Sequence, residues 1–307
     1  MKFKFIDLFA GIGGFRLALE AVGGECVFSS EIDPSARKTY EANFGDVPSG
    51  DICKIDASDI PDFDVLAGGF PCQAFSVIGK QEGFANETSG TLFFEIERIL
   101  KAKAPRAFIL ENVKNLVGHA KGETFRTILE HLEALGYNVR WKVLNALDYG
   151  LPQKRERTII VGFRDVFGFE WPDPSPRNRA RTLKDILEEN VPERYWASER
   201  IRASRNAAMK NKDYPRPFIS HANISGLCTP HPYSGALRWS SSHNALLVNN
   251  ERRLTEREML RLQGFPDAFK IVVPYTRMKA QCGNSVPVPM IEAVCRQMVK
   301  AMEKTDA

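Results

Sequence analysis

The first half of the chain alternates between short apolar runs and helical stretches, and this alternation limits the fold more than any other feature. Lys4–Phe9 reads as a buried strand, followed by the Gly-rich AGIGG and a helix over Phe15–Val22. Cys26–Ile32 reads as a second strand and Ser35–Phe44 as a second helix. The pattern continues with strands at Asp64–Ala67, Ala107–Leu110, Val139–Leu144 and Thr158–Phe163, and with helices at Leu92–Ala102 and Glu123–Leu135. Strands that alternate with helices predict βαβ units and an α/β fold whose mostly parallel sheet is covered on both faces. Ligands of such sheets bind beyond the carboxyl ends of the strands. FAGIGG, EIDP, GGFPCQ and ENVKN all fall there.

Around Trp171 the pattern breaks. WPDPSPRNRAR looks like a domain exit, and periodicity is poor from there to about Ser242. RRLTEREMLRLQGFP then resumes helical order, with Thr255 as N-cap and Glu258 three residues on. In the last helix, Pro287–Glu303, Ile291, Val294, Cys295, Met298 and Met302 recur at the spacing of one buried face. The chain is therefore expected to leave the α/β domain and return to it. The expected division is a catalytic domain over 1–172 completed by 282–307, with a smaller domain and hinge over 173–281.

Composition excludes several classes. The 307 residues are 43% hydrophobic and 26% charged, ordinary values for a soluble protein, and no apolar run approaches a membrane span. MKFKFIDLF has no signal-peptide core, so a cytoplasmic location is expected. The six cysteines form no C-x-x-C pair, so neither a zinc site nor a disulfide framework is expected, and no metal.

DLFAGIGG has the form of a strand running into a glycine turn and a helix, where a ligand approaches backbone closely. Glu31 ends the next strand, where a carboxylate can hold ribose hydroxyls. The turn departs from a dinucleotide fingerprint, because Arg16 occupies the place of the third glycine. Asp51 can accept a hydrogen bond from an adenine amino group or serve as a surface turn acid. Cys72 follows a proline at the end of an apolar run and precedes a Gly-containing loop suited to closing over a substrate, as a thiolate nucleophile requires. Glu111 directly follows the apolar AFIL, where a carboxyl can act as an acid or form a salt bridge. QKRER, opening TIIVGF, is either a solvated charge run or a set in which one arginine orients a base and the others meet phosphates.

In order, DLFAGIGGFRLALE, EIDPSARKTY, GDI, GGFPCQAFSVIGKQEGF, ENVKNL, LNALDYGLPQKRERTIIVGF, RRLTEREMLRLQGFP and QCGNSVPVPM closely resemble the bacterial DNA cytosine-5 methyltransferases of restriction–modification systems. The resemblance covers nearly the whole length. Only the segment from about Trp171 to Leu247 lacks family motifs, and there the family keeps its target-recognition region. The resemblance implies a Rossmann-like adenosylmethionine-dependent methyltransferase sheet with a second, smaller target-recognition domain. It implies that Cys72 adds to C6 of a flipped cytosine, Glu111 holds N3 and the amino group, and Arg157 supports the carbonyl oxygen with Arg155 nearby. The donor S-adenosylmethionine would meet Phe9, Gly11, Gly13, Gly14, Glu31, Ile32, Asp51, Ile52, Pro71, Leu92 and Asn284. Ser76, Gln81, Arg155 and Arg238 are the expected contacts to double-stranded DNA. A monomer paired functionally with a restriction endonuclease is implied.

Three alternatives share parts of this pattern. An NAD-dependent dehydrogenase would have the same strand–glycine–helix opening but leaves the Cys72 loop unexplained. A transfer-RNA cytosine-5 methyltransferase would carry the same catalytic blocks. An inactive DNA-binding protein would have no need of Cys72, Glu111 and Arg157 together.

Overall fold

The computed structural model describes residues 2–70, 92–165, 168–174, 180–209, 213–222 and 227–305. The chain divides into two compact units, one of residues 1–144, 156–173 and 291–307, the other of 145–155 and 174–290. The division differs from the expected one at two places. Residues 145–155 belong to the second unit, and the C-terminal return begins at Ile291 rather than at 282.

In the first unit, β1 (Phe3–Leu8), α1 (Gly14–Glu20), β2 (Gly24–Ser30), α2 (Pro34–Phe44), β3 (Val65–Gly69), α3 (Leu92–Lys103), β4 (Ala107–Val113), α4 (Glu123–Ala134) and β5 (Asn138–Asn145) follow in sequence. After β6 (Gln153–Lys154), β7 (Glu156–Phe163) completes a six-stranded sheet of order β2-β1-β3-β4-β7-β5. β2, β1, β3 and β4 are parallel neighbours, and β7 runs antiparallel to β4. Residues 107–112 of β4 are buried without a break, as are 65–68 of β3. Such runs require cover on both faces. Ile6, Leu8, Leu66, Phe108, Leu110 and Ile160 supply one face of the core and pack with Phe93, Ile96 and Ile99 of α3 and Phe125, Ile128 and Leu132 of α4.

Local chemistry sets the helix ends. Asp33 caps α2 by accepting from the backbone N–H of Ser35 at 2.7 Å and of Ala36 at 3.1 Å, with Pro34 opening the helix.

The second unit contains β6, α5 (Leu183–Ile186), α6 (Glu199–Ala208), β8 (Ile219–Ala222), β9 (Cys228–His231), β10 (Ser234–Gly235), β11 (Leu246–Val248), α7 (Glu256–Gln263) and α8 (Tyr275–Asn284). β11, β8 and β9 form an antiparallel sheet, and β10 pairs with β6. α7 starts with the expected capping box: Thr255 Oγ1 accepts from the Glu258 N–H, and the Glu258 carboxylate accepts from the Thr255 N–H. Glu258 also takes Arg252 in a two-pronged ion pair, both bonds 2.8 Å. The last helix, α9 (Val288–Thr305), carries the chain back into the first unit, and its face of Ile291, Val294, Cys295, Met298 and Met302 is buried as its spacing requires.

Candidate active site

One row of the sheet fixes the edge at which the motifs meet. Ser30, Leu8, Gly68, Leu110 and Ile160 are register partners across five adjacent strands. The residues one step beyond this row are Glu31, Phe9, Gly69 and Glu111, so all four stand near the carboxyl edge of the parallel strands, with Gly69 and Glu111 still paired within β3 and β4. β1 has β2 on one side and β3 on the other, so the chain reverses direction across the sheet here. Such switch points open a crevice for ligands.

The turn after β1 is conformationally unusual. Phe9 has φ 56°, Gly11 55° and Gly13 83°. A bulky residue in the left-handed region is strained, and such strain persists where a site requires it. Gly13 has a second reason to be glycine, since a Cβ there would lie 2.3 Å from the Phe44 ring. A Cβ on Gly11 would meet nothing closer than 4.0 Å, so the space over the turn is open to a ligand. Glu31 locks this turn to the end of β2. One carboxylate oxygen accepts from the Gly11 N–H and the other from the Asp33 N–H, both at 2.8 Å. A carboxylate has about four acceptor positions, so two remain for hydroxyls. Next to it Ile32 is 68% exposed, an apolar surface with nothing over it. Asp51 accepts from the Cys53 N–H at 3.1 Å and opens the short turn Ile52–Lys54, with Ile52 buried. The residues fit a nucleoside ligand: open glycine backbone, a ribose-type carboxylate and an exposed aliphatic face.

The second cluster sits on β4 and β7. The strand runs on through Val113, so Glu111 lies within it, opposite Ile159, rather than just after it as expected. Arg157 stands opposite Val113, two residues along on the same face. Its Nε lies 2.6 Å from Glu111 Oε1, and both side chains are nearly buried. Gly69 faces Glu111, and a Cβ there would lie 3.4 Å from Oε2. Asn112, on the opposite face of β4, donates to the carbonyl oxygen of Phe70 at 2.9 Å. It thereby anchors the residue just before Pro71–Cys72 to the strand that carries Glu111. Sequence reasoning missed Asn112, although its place in ENV beside Glu111 was a signal.

The family model for C-5 cytosine-specific DNA methylase matches residues 3–300. The chain belongs to that family. Type II methyltransferase M.HaeII of Haemophilus aegyptius is 54% identical over 98% of this chain and 94% of its own length. Type II methyltransferase M.NgoBI of Neisseria gonorrhoeae is 56% identical over 95% and 91%. Among solved structures, the Dnmt2 methyltransferase of S. pombe aligns with TM-score 0.77 at 20% identity, covering 98% of this chain and 99% of that one. A putative DNA modification methyltransferase from an E. coli prophage aligns at 0.69 and 21%, with the same coverage. These structures share the methyltransferase fold, and the curated relatives make the chain a DNA cytosine-5 methyltransferase of restriction–modification type. The dehydrogenase alternative is thereby set aside.

The other expected site residues of this methylase are dispersed. Pro71, Cys72, Ser76 and Gln81 lie outside the described residues. Leu92 is the half-buried first residue of α3. Asn284 is exposed at the end of α8, in the second unit. Arg238 is exposed in that same unit, beside Trp239, which is 59% exposed. Arg155 requires correction. It was expected beside the base and at DNA, yet it is buried, and its guanidinium donates to the carbonyl oxygens of Leu237 at 3.0 Å, Gly283 at 3.0 Å and Ser285 at 2.6 Å. An arginine used this way ties the Leu237 segment to the C-terminal end of α8 within the second unit. Gln153 does similar work, donating to the Leu262 carbonyl and accepting from the Leu237 N–H. QKRER is therefore not a uniformly solvated run: Lys154 is exposed, but Gln153, Arg155 and Arg157 are engaged within the protein. Gln153 and Arg155 are internal to the second unit, and Arg157 reaches Glu111 in the first.

Proposed function

We propose that this methylase transfers the methyl group of S-adenosylmethionine to C5 of a cytosine flipped out of a specific double-stranded DNA site, through a covalent bond to Cys72. The observation that carries this reading is the Glu111–Arg157 pair on adjoining strands, with Asn112 tying Phe70 to the same strand. Cytosine is unreactive at C5. Addition of the Cys72 thiolate to C6 forms an S–C6 bond and turns C5 into an enamine-like nucleophile. The Glu111 carboxyl accepts from the amino group and, when it carries a proton, donates it to N3 as the ring gains electrons, and Arg157 supports the carbonyl oxygen while holding Glu111 in place. The donor supplies the methyl group that C5 takes up. Loss of the C5 proton and expulsion of the thiolate restore the C5–C6 double bond and free Cys72. None of this is possible on a stacked base, so the cytosine is flipped out of the duplex.

Phe9 and Ile32 flank the donor's adenine, Asp51 and Ile52 stand at its edge, Glu31 holds the ribose, and the Gly11–Gly14 turn takes the methionine end. Pro71, Leu92 and Asn284 complete the donor contacts. Glu31→Ala removes a charged acceptor and releases the Gly11 N–H. Bonds to charged groups contribute about 1.5–3 kcal/mol each, so donor affinity by calorimetry is expected to fall about tenfold to a hundredfold. Unchanged affinity would remove Glu31 from the ribose.

The second unit is the target-recognition domain, and the protein acts in the cytoplasm as a monomer that protects DNA from a cognate restriction endonuclease. Among the described residues no helix is long and apolar enough to cross a membrane. Ser76 and Gln81 are proposed DNA contacts. Arg238 is the proposed guanine contact, because its planar fork meets two acceptors at once. Arg238→Ala is expected to cost about 1–3 kcal/mol on the cognate site and little on scrambled duplex. Equal loss on both would make it a phosphate contact. Expression in a host without DNA methylation, followed by bisulfite sequencing, tests the whole reading. 5-Methylcytosine in one recurring sequence supports it, and its absence contradicts it.

A further inference from the structure

Beneath the glycine turn lies a buried polar cluster that the proposed chemistry leaves without a task. Asp7, in β1 and two residues before Phe9, is fully buried. Among the described residues neither of its carboxyl oxygens has a well-formed hydrogen bond. The backbone N–H of Arg16 faces it from the first turn of α1. Gly13, the N-cap of that helix, has no side chain to cap it. The Arg16 side chain, which stands where a dinucleotide fold would have its third glycine, is directed elsewhere. Its Nε donates to Glu20 at 2.7 Å, and its Nη1 reaches the Tyr40 hydroxyl at 3.3 Å and the Asp46 carboxylate. Its guanidinium lies over the Phe44 ring, 4.5 Å from the centroid. The cation is thus shared between two other carboxylates, and Asp7 is left without a counter-ion of its own. A buried carboxylate without a partner is far more costly than a neutral carboxyl group.

We propose that Asp7 is a positioning residue for the methyl donor: un-ionised, it lets the Phe9–Gly13 turn settle on the start of α1, and its ionisation loosens that turn. The inference rests on the assignment of this turn to the donor. Burial pushes the Asp7 carboxyl up to about 8, with Arg16 opposing the rise and Glu31 and Glu20 adding to it. The groups that face it are Arg16 and Glu20 on α1, Cys26 on β2, Glu31 just past β2, and Tyr40 on α2. Burial pushes Cys26 up to about 12 and Tyr40 further still. The sign follows from linkage. The folded value lies above the unfolded one of about 4, so the uncharged group's contribution to stability is complete below about pH 4 and is lost as pH rises towards 8. Above that point the turn is increasingly ionised, and the fraction competent to bind donor falls.

The test is donor affinity by calorimetry between about pH 6.5 and 9.5, on the full chain and on Asp7→Asn, which keeps the shape without the charge. Affinity of the unaltered protein is expected to fall about thirtyfold more than that of Asp7→Asn over this range. The donor's own amino group titrates near 8 as well, but it contributes equally to both proteins and cancels in the ratio. A ratio that stays constant with pH overturns the inference while leaving the donor site intact. Absence of donor binding by the unaltered protein at every pH overturns the site assignment and the inference with it. Carbon-13 NMR of the Asp7 carboxyl in the unaltered protein keeps the matter decidable if the variant does not fold: a midpoint near 8 supports the inference, and one near 4 overturns it.

Discussion

Cys72→Ala is expected to abolish methyl transfer, lowering the rate by at least about ten-thousandfold, while donor affinity stays within about twofold of the unaltered value. The split is the informative part. The thiolate acts only on the base, and most of the donor's proposed contacts, Phe9, the glycine turn, Glu31, Ile32 and Asp51, lie after other strands, Pro71 being the exception beside Cys72. Without the sulfur, C6 stays unattacked and C5 never becomes nucleophilic, so no residual pathway of similar rate remains. Single-turnover assays on methylation-free duplex measure the first quantity and calorimetry the second. Substantial turnover by Cys72→Ala would contradict the mechanism, and loss of donor binding would show that the substitution had damaged the fold instead.

The second large effect belongs to Glu111. Glu111→Gln keeps the size of the side chain but removes the carboxylate that meets Arg157 at 2.6 Å. General acid–base groups contribute about a hundredfold to ten-thousandfold, and a loss in that range is expected in the rate of methyl transfer. The pair is nearly buried, so the substitution also leaves the Arg157 cation without its partner, and a lower melting temperature is expected alongside. The two consequences separate by temperature: assayed well below its melting point, Glu111→Gln remains slow if the carboxylate acts on the base. Recovery of near-normal rate at low temperature would reduce Glu111 to an anchor for Arg157.

Where apolar runs were long and their ends marked, the fold was legible in the sequence. β1, α2 and α4 appear within a residue or two of their expected bounds, because a buried run or a capping residue such as Asp33 sets them. β8, β9, β10 and β11 were not legible, since strands of two to four residues carry too little alternation to stand out from loop. Within the candidate site, Glu111 drew attention because an acid directly after AFIL is conspicuous, and Glu31 because it ends the second strand. From the charged run alone, Arg155 and Arg157 could not be told apart; the family resemblance gave the base to Arg157 and put Arg155 beside it. They are alternate residues of one charged run, and only the tertiary structure sends one to backbone carbonyls and the other to Glu111. Asp7 was hidden for the opposite reason. A single acid inside an apolar strand carries no sign of being fully buried, and its role depends on where Arg16 points.

The central claim is that Cys72 forms a covalent bond to the target base, and fluorine at C5 tests it most directly. With 5-fluorocytosine at the target position no proton can leave C5 after methylation, so the thiolate cannot be expelled. The protein should then stay joined to the duplex through denaturation, only when S-adenosylmethionine is present, and peptide mapping should place the link on Cys72. Complete release of the duplex on denaturation, by a preparation that methylates unmodified DNA, would contradict it.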